Sequence, residues 1–562
     1  MRSPTVTPKL QRLAAQAAHD PDRVFTTLAH LIDTDFLREA YHHTSKSSAA
    51  GIDGVTAQQY AEHLDENLRD LHERLRSDRY QAAPVERVWI EKDDGGQRPI
   101  GKPTFEDKIV QRAVAMLLEA IYEQDFYDGS YGFRPGRSPH NALQELRERC
   151  MTEGIGWIVD ADVSGYFDSI DRTRLREVLR QRVNDGRIVR LIGKWLRAGV
   201  WEEGVLNHPD TGVVQVGTIS PVLANIFLHQ VLDEWFEHEV QPRLKGRSFL
   251  IRFADDFVIG CELEADARKI MAVLPKRFAR YGLTIHPTKT ALMAFGKPAG
   301  RSGANPRNST CDFLGLTHDW TTSRRGFWVI KRRTARKRLR RTKKSLWRWC
   351  RVNRHASLKD HYHMLCLKLR GHVQYYGIQG NFRLLEEVLR SAEKAWRYWL
   401  SRRSSKSAIG WEKFQQLLET SVLPPPRIVH NISWAMQGSK VMHQSRAGTL
   451  APEEPDELIA HVRVCGGAGW VTTGSTRKPT APMVACTASA SLMARRLTAG
   501  VRQMRKVQQE CQPGICQGED DEEAVSWILP PKGRRVCPEV QRMRLLLRYK
   551  CLTALISVHP RV

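Results

Sequence analysis

The stretch "FLIRFADDFVIGC" at residues 249–261 constrains the fold of this chain more than any other segment. Apolar residues flank two adjacent aspartates, Asp255 and Asp256, which is the pattern of a β-hairpin with mostly buried strands. Two carboxylates side by side repel each other, and burial strengthens the repulsion unless positive charge lies between them. The pattern therefore predicts a cation at the tip of this hairpin, and the simpler alternative is a solvated turn.

The charge of the chain points to a polyanionic partner. The 562 residues include 87 Lys and Arg against 62 Asp and Glu, a formal net charge of +25. Nucleic acid is the leading candidate, ahead of an anionic membrane surface. No apolar run approaches the roughly 18–20 residues that cross a bilayer, and the N-terminus lacks the apolar core of a secretion signal. The scattered cysteines indicate reduced thiols in a cytoplasmic protein without a zinc module.

Several elements can be placed along the chain. Residues 85–103 form a predicted hairpin around an Asp-Asp-Gly-Gly turn. Thr104 and Asp107 have capping-box-like spacing at the start of an amphipathic helix. "WIVDADV" (157–163) is strand-like and "SPVLANIFLHQVLDEWF" (220–236) is a predicted buried helix. The Gly/Pro/Ser-rich segment 296–309 predicts a long loop, followed by a basic helical region that ends near the prolines of 422–427.

Three carboxylates carry the candidate chemistry. Asp162 ends the strand at 157–163, and Asp255 and Asp256 end the first strand of the hairpin. If the two strands are neighbours in one sheet, the carboxylates converge at one edge, and an all-oxygen site with few protein ligands suits Mg²⁺. Two such ions are the usual machinery of nucleotidyl transfer. Asp160, Asp168 and Asp171 compete with Asp162 for the first ligand position.

The order of the motifs resembles that of reverse transcriptases, specifically the reverse transcriptase/maturase proteins encoded by group II introns. The resemblance covers roughly residues 35–430. It is carried, in order, by "GIDGVT" (51–56), "RPIGKPTFEDKIVQRAV" (98–114), "SYGFRPGRS" (130–138), "DVSGYFDSID" (162–171), "QVGTISPVLANIFLH" (215–229), "RFADDF" (252–257), "KTALMAFG" (289–296) and "FLG" (313–315). It implies an α/β right-hand polymerase, with fingers and palm, followed by an α-helical thumb/maturase domain.

The resemblance also implies domain limits. They are an N-terminal helical extension and the start of the fingers at 1–80, fingers and palm at 81–300, and a basic, helical thumb/maturase domain at 301–428. Residues 429–562 would form a C-terminal tail that either binds DNA or is poorly ordered. This tail shows neither the cysteine pairs nor the His-Asn-His spacing of the endonuclease that ends many relatives.

Residue roles follow from the same resemblance. Asp162, Asp255 and Asp256 would be the catalytic ligands of two Mg²⁺ ions, and Phe167 would exclude a ribonucleotide 2′-hydroxyl, with a simple core Phe as its alternative. The triphosphate would be held by Lys92 and Arg98, which are otherwise solvated hairpin residues. Gln215 and Gly217 would line the templating pocket. Lys289 would act as a general acid toward pyrophosphate or is only a surface charge.

Three positions depart from the family pattern. Phe253 stands where the family usually has Tyr, which should alter nucleotide contacts without removing a metal ligand. The family's Gln-Gly-Gly is here Gln215-Val216-Gly217, and Lys102 replaces a usual aliphatic. All three acidic residues remain, so an active enzyme is expected.

The segment "KRRTARKRLRRTKKSLWRWCR" (331–351) holds twelve Lys or Arg and no acid. The cations of a helix with this charge repel one another unless phosphates neutralise them. A solvated helix face is the plainer interpretation. Trp347 and Trp349 could stack on bases, but we expect them in the core. The residues expected to bind RNA are Arg332, Arg333, Arg336, Lys337, Arg340, Arg341, Lys343, Lys344 and Arg370.

The expected function is RNA-directed DNA synthesis coupled to binding and splicing of a host group II intron RNA, with intron mobility by target-primed reverse transcription. The expected partners are that intron RNA, an RNA template with a DNA primer, target DNA and deoxynucleoside triphosphates, with no membrane. The expected location is the cytoplasm, at the nucleoid in a bacterium, with an organelle still open. Two alternatives are an RNA-binding splicing cofactor with a vestigial polymerase and a retron- or defence-type reverse transcriptase without maturase activity.

Overall fold

The computed structural model describes residues 6–91, 97–202, 205–207, 217–298, 310–404 and 408–430. Lys92, Gln215 and almost all of the predicted tail at 429–562 lie outside these residues, and for Arg98 only the backbone is described. The chain begins with helices that pack around a long central helix. They are α1 (Val6–His19), α2 (Thr34–His42), α3 (Ala57–Glu62) and α4 (Leu64–Arg76).

The predicted hairpin at 85–103 is confirmed. Strands β1 (Val85–Glu91) and β2 (Gln97–Lys102) pair antiparallel, with Arg98 opposite Ile90. Strands β4 (Val200–Glu202) and β5 (Val205–Asn207) extend this pair into a four-stranded outer sheet of order β2-β1-β4-β5. In this sheet Lys102 forms an ion pair with Glu86, which explains how a lysine is accommodated where an aliphatic residue was expected.

The long central helix is α5 (Phe105–Tyr122), and its start was predicted correctly. The Thr104 hydroxyl accepts a hydrogen bond from the Asp107 backbone N–H, which caps the helix. The predicted apolar positions 109, 113, 114, 117, 118 and 121 are all buried, and so are Asp107, Lys108 and Gln111. The helix therefore lies inside the large core, where it packs against α1 and α2.

The central sheet has the strand order β6-β7-β3-β8. The elements around it follow in chain order: α6 (Pro139–Thr152), β3 (Trp157–Asp162), α7 (Tyr166–Ser169), α8 (Arg172–Arg182), α9 (Gly186–Arg197), α10 (Ser220–Leu228), β6 (Ser248–Phe253), β7 (Asp256–Cys261), α11 (Glu264–Ala279) and β8 (Ala291–Ala294). Helix α10 continues as π-helical turns at His229–Asp233 and Trp235–Val240. The hairpin predicted over 249–261 is therefore confirmed as β6 and β7.

Both faces of the central sheet are buried. Alternate residues of its strands enter two different apolar cores: Leu250 and Ile259 join the larger core with α5 and α10, whereas Phe249 and Val258 join a second core with α6. This double burial explains why the two hairpin strands contain runs of apolar residues in addition to the alternation. In the described strands of the central sheet, acidic residues occur only near the end that Asp162 and Asp256 share.

The region after residue 310 was predicted to be helical, and its first part is instead a sheet. Strands β9 (Cys311–Phe313), β10 (Leu316–Thr322) and β11 (Trp328–Thr334) form a three-stranded antiparallel sheet. Residues 331–334 of the basic segment thus belong to a strand, and the helix begins only at residue 336. The prediction failed because the consecutive basic residues 331–333 continue into the basic helix, and charge density alone does not separate a strand from a helix.

The remaining described residues form a helical bundle with its own apolar core. Its helices are α12 (Arg336–Val352), α13 (Leu358–Tyr376), α14 (Phe382–Leu400) and α15 (Trp411–Thr420). Cys350 and Cys366 are buried in this bundle, and the other described cysteines are likewise buried and free of disulfides. Among the described residues, no helix combines the length and the apolar character needed to cross a membrane.

Candidate active site

The register of the central sheet brings Asp162 directly opposite Asp256. Strand β3 pairs with β7, and Asp162 and Asp256 are Cα partners; on the other side of β7, Asp256 is the partner of Phe253. Side chains of directly opposite residues project from the same face with their Cβ atoms about 5 Å apart. Two acids separated by a long stretch of sequence are therefore neighbours at one end of the sheet.

Asp255 lies in the two-residue turn that joins β6 to β7, next to Asp256. The first turn residue, Ala254, has a φ of 58°, a left-handed conformation that L-residues other than glycine rarely adopt and that costs about 1–2 kcal/mol. Such strain persists only where the surroundings over-determine the backbone. The turn that carries the paired aspartates is thus held in a specific, unfavourable conformation.

The segment around "SYGF" lies against this turn. It forms a short parallel bridge with β6: the Arg252 N–H donates to the Gly129 carbonyl and the Tyr131 N–H donates to the Arg252 carbonyl, each at 2.8 Å. A Cβ at Gly132 would lie 2.2 Å from the Ala254 backbone nitrogen, so only glycine allows this approach. The motif therefore shapes the turn by backbone contact.

Negative charge accumulates at this end of the sheet. Burial, followed by the charges of Asp160, Asp255 and Asp162, raises the pKa of Asp256 well above its usual value, and the cation of Arg338 only partly opposes this. Burial and the charges of Asp162 and Asp312 likewise raise the pKa of Asp160 to about 7. Carboxyl groups whose pKa values are raised this far are stabilised in their ionised form when a cation binds beside them.

Lys289 supplies one positive charge directly. Its Nζ donates to Asp162 Oδ2 at 2.8 Å, across a separation of 127 residues. The side chains are 58% and 32% exposed, so the contact remains open to solvent and to a competing cation. The structure therefore brings Lys289 to the carboxylates, in direct contact with the residue expected to be the first ligand.

The donor set suits a hard cation. In the part of the chain that the structure describes, no group of three His, Cys, Asp or Glu side chains is gathered closely enough to hold a metal ion by itself. Mg²⁺ is usually bound through one or two carboxylates together with substrate phosphates and water, so a closed protein cage is not needed. The opposed pair Asp162 and Asp256, with its raised carboxyl pKa and an ammonium already bound, fits such an open site.

Phe167 lies in α7, which follows β3 after a short turn. Its ring is partly buried against the larger core and makes an edge contact with Tyr166 at a centroid distance of 5.4 Å. Tyr166 is fully buried and its hydroxyl donates to the Ala224 carbonyl at 2.6 Å, which anchors α7 to α10. Phe167 is thus fixed close in sequence and structure to Asp162, with part of its ring accessible.

Gly217 lies at the start of α10 beside a small cavity. A Cβ there would meet Ser220 Oγ at 2.8 Å and Gln111 Oε1 at 3.0 Å, so a larger residue would require these side chains to shift. The cavity is also lined by Asp107, whose carboxylate accepts hydrogen bonds from the Tyr80 hydroxyl and the Ala83 N–H. Burial raises the pKa of Asp107 to about 6. Neighbouring Gln215 lies outside the described residues.

A buried ion pair beneath the turn was not found from the sequence. Arg252 and Asp233 are both 0% exposed and form a bidentate contact, Nε to Oδ1 at 2.8 Å and Nη2 to Oδ2 at 2.6 Å. The available signal was Arg252 itself, a charged residue inside an otherwise apolar strand, because a buried charge requires a partner. The sequence alone did not identify Asp233 as that partner.

Helix α12 has a basic face, which we define as its exposed cations Arg336, Lys337, Arg340, Lys344, Arg348 and Arg351. No acid occurs within α12. Of the predicted RNA-binding residues beyond this face, Arg370 on α13 is exposed and Arg341 is partly buried. The basic face is therefore a dense row of exposed cations on a helix without acids, a feature that favours a polyanionic partner.

Three predicted RNA-binding residues are placed differently. Arg332 is only 3% exposed, because it faces inward on β11, and burial lowers its pKa to about 10; it is not part of the surface. Arg333 is paired with Asp319 at 2.8 Å, and Lys343 is paired with Glu387. Their charges are already opposed by protein carboxylates, so their contribution to phosphate binding is expected to be smaller.

The expectation that both tryptophans of α12 lie in the core is wrong for Trp347. Its side chain is 40% exposed, and its ring lies 4.8 Å from Tyr398, over which Arg402 stacks at 3.7 Å. Trp349 is partly buried, as expected, against His361. The helix therefore presents an aromatic ring among its exposed cations.

Comparison with known proteins agrees with this geometry. The family model described as "Reverse transcriptase (RNA-dependent DNA polymerase)" matches residues 90–318. Protein YkfC of Escherichia coli K12 is 35% identical over 283 residues, 44% of this chain and 74% of that protein. The group II intron-encoded protein LtrA of Lactococcus lactis is 35% identical over 224 residues, 40% of this chain and 37% of LtrA.

A shorter match joins the chain to a plant protein, nuclear intron maturase 1 of Arabidopsis thaliana, at 33% identity over 96 residues, 17% of this chain and 13% of that protein. The chain thus spans about three quarters of YkfC but little more than a third of LtrA. The matched region contains Asp162, Asp255 and Asp256, the central sheet and all the motifs quoted above except "GIDGVT" (51–56). This chain belongs to the reverse transcriptase family, in the group of the intron-encoded reverse transcriptase/maturase proteins.

Proposed function

We propose that this chain is an RNA-directed DNA polymerase that also binds a group II intron RNA and assists its splicing. The observation that carries the polymerase assignment is the register of the central sheet, in which Asp162 lies opposite Asp256 with Asp255 in the adjoining turn. Paired acids at one sheet end, in a family of RNA-dependent DNA polymerases, suit the binding of two divalent cations beside a primer terminus.

In this proposal Asp162, Asp255 and Asp256 hold Mg²⁺ together with the nucleotide phosphates. The bound ions supply the positive charge that favours ionisation of the primer 3′-hydroxyl and offsets the charge of the pyrophosphate. The chain itself contributes the rigid sheet end, which fixes the spacing of the carboxylates before substrate arrives. Lys289 moves from Asp162 to the leaving pyrophosphate, to which its ammonium can give a proton.

The neighbouring residues select the substrate. Phe167 presents its accessible edge below the sugar of the incoming nucleotide and excludes a 2′-hydroxyl by contact. Gly217, with Gln215 two residues before it in sequence, lines the templating pocket, where the absence of a side chain lets the backbone approach the base pair. Lys92, which follows β1 in sequence, and Arg98, on β2, oppose the charge of the triphosphate.

The RNA-binding part of the proposal rests on the helical bundle. The basic face of α12 offers phosphate-binding cations, and the names of the similar proteins connect the family with introns and with intron maturation. In this proposal the outer sheet forms the fingers, the central sheet the palm and the bundle the thumb/maturase domain. Its further partners are target DNA for intron mobility, and its place in a bacterium is the cytoplasm at the nucleoid.

Primer extension on an RNA template with Mg²⁺ tests the polymerase assignment. The wild type should extend a DNA primer, Asp255→Ala should abolish extension, and Asp70→Ala, which changes an exposed aspartate of α4, should behave as the wild type. A wild type that accelerates splicing yet incorporates no nucleotides would leave only a splicing cofactor.

Sequencing of the RNA that copurifies with the protein tests the intron partner. One structured RNA with group II intron features should dominate. A mixture without such an RNA, from a protein that still extends primers, would favour a reverse transcriptase without maturase activity.

A further inference from the structure

We propose that Arg252, Asp233 and Asn225 are positioning residues for nucleotidyl transfer, because together they hold the turn that carries Asp255 and Asp256. Arg252 bonds the turn through the Ala254 carbonyl, Asn225 acts through the Gly132 backbone, and Asp233 acts by orienting Arg252. The inference rests on the proposed polymerase function for its kinetic consequence, but the geometric part can be tested separately.

The Arg252 guanidinium uses each of its nitrogens. Nε and Nη2 donate to the two carboxylate oxygens of Asp233. Nη1 donates to Asn225 Oδ1 at 2.9 Å and to the Ala254 carbonyl at 3.1 Å. Arg252 thereby connects α10 and its extension to the strained residue of the turn, two positions further along its own strand.

Asn225 extends the connection to the other side of the turn. Its Nδ2 donates at 2.6 Å to the carbonyl of Gly132, the residue whose Cα lies against the Ala254 nitrogen. The turn is therefore held from both sides, by Arg252 through the Ala254 carbonyl and by the Gly132 backbone that Asn225 fixes. This double restraint provides the over-determination that a left-handed alanine requires.

The helix that carries Asn225 and Asp233 departs from regular α-helical geometry between them. Asn225 and Asp233 are eight residues apart, which in a regular α-helix would place them about 80° apart around the axis. The residues from His229 to Asp233 instead form a wider π-helical turn, and both side chains meet the same guanidinium. Single π-helical turns are frequently found at functional sites.

Stability alone does not account for the pair. Removing two charges from water is so unfavourable that apolar residues of similar volume often stabilise a protein as well or better. Burial opposes ionisation of Asp233, yet Arg252 holds the pKa of its carboxyl below the usual value, so the carboxylate stays charged in the interior. The ion pair provides directed hydrogen bonds that lead to the turn, and an apolar pair would not provide them.

The decisive variant is Arg252→Met with Asp233→Leu, which replaces the pair by apolar residues of similar size. A matched control is Arg182→Met with Asp125→Leu, since this pair is also bidentate, at 2.8 and 2.9 Å, and largely buried, but joins α8 to the turn after α5. Thermal unfolding should show both double variants folded. The kcat for primer extension should fall about 10- to 100-fold in the first and stay within about twofold in the control, with KM for nucleotide little changed in either.

Mn²⁺ binding, measured by electron paramagnetic resonance without any substrate, provides the second readout. The Arg252/Asp233 variant should bind Mn²⁺ about 10-fold more weakly than the wild type, and the control should match the wild type. Should that double variant not fold, Arg252→Lys replaces it: lysine keeps the charge but cannot span Asp233, Asn225 and Ala254 together, so kcat and Mn²⁺ affinity should both fall.

The inference is overturned if a folded Arg252/Asp233 variant, or Arg252→Lys in its place, retains the kcat and the Mn²⁺ affinity of the wild type. If the wild type extends no primer, the proposed function fails, and the Mn²⁺ comparison alone then decides whether the ion pair positions the carboxylates.

Discussion

Arginine is used in opposite ways in the two main regions of this chain. Beneath the hairpin turn, Arg252 has no exposed surface and its nitrogens are all bonded to protein acceptors. On the basic face of α12, Arg340 is exposed within a helix that contains no acid. The first guanidinium contributes to the rigidity of one backbone turn, whereas the second contributes charge to a surface.

The difference indicates where each region obtains its specificity. The end of the central sheet has geometry set before any ligand binds, so small displacements there should affect chemistry strongly. The basic face offers several long, flexible cations, so its contribution should be spread over many contacts and should depend on salt. We therefore expect substitutions in one region to change kcat and substitutions in the other to change RNA affinity.

The largest effect should come from Asp256→Asn. Loss of one carboxylate charge should lower kcat for primer extension on the order of 10³-fold, because several kcal/mol of charge stabilisation are lost. Affinity for structured RNA, measured by filter binding, should change less than about twofold. A comparable loss of RNA affinity would show that the two regions are not separable.

The next effect concerns the basic face. Changing Lys337, Arg340 and Lys344 together to Gln should weaken RNA binding on the order of 100-fold and lower the slope of log affinity against log salt by about 2–3, near 0.7–0.9 per phosphate contact. The matched control changes Arg69, Arg76 and Arg79 of the α4 region, which are exposed but interspersed with acids. An unchanged salt slope in the first variant would remove α12 from the interface.

The third prediction concerns the pH dependence of stability that the buried Asp107 causes. Burial raises its pKa to about 6, so the folded state binds the proton more tightly than the unfolded state. Its favourable contribution is then present at low pH and is lost as the pH rises from about 4 through about 6. Asp107→Asn should therefore gain about 2 kcal/mol relative to the wild type between pH 4.5 and 7.5 in urea unfolding. Parallel stability curves for the two proteins would contradict this.

The smallest effect should come from Trp347→Ala. If its exposed ring stacks on an unpaired base, RNA affinity should fall about 10-fold with no change in the salt slope. The control is Trp411→Ala on α15, another exposed tryptophan, whose ring lies under Arg397 at 4.1 Å. An equal loss in both variants, or a change in salt slope, would show that Trp347 acts through the bundle core instead.

Elements with a strong local signal could be predicted from the sequence. The hairpin at 249–261 and the cap at Thr104 depend on alternation and on one side-chain hydrogen bond, both of which are local. The sheet β9–β10–β11 was missed because the basic residues 331–333 of β11 resemble the start of the following helix. The inward direction of Arg332 depends on its strand register, which charge composition does not contain.

The candidate site was predictable in part for the same reason. The sequence indicated that the strands bearing Asp162 and Asp256 could be neighbours, and the register supplied their direct opposition. The partners of Arg252 come from another element and depend on a helix whose residues do not follow the usual 3.6-residue period. A search for periodic patterns assumes that period, so it could not have found them.

The wide turns after α10 carry a consequence for chain length. If the same residues formed a regular α-helix, Asp233 would point about 80° away from Asn225, and the two side chains could not meet one guanidinium. With one residue fewer, an α-helix would bring them back to within about 20° of the same direction. The wide turn thus absorbs one residue more than two α-helical turns hold, and the ion pair depends on that turn staying in place.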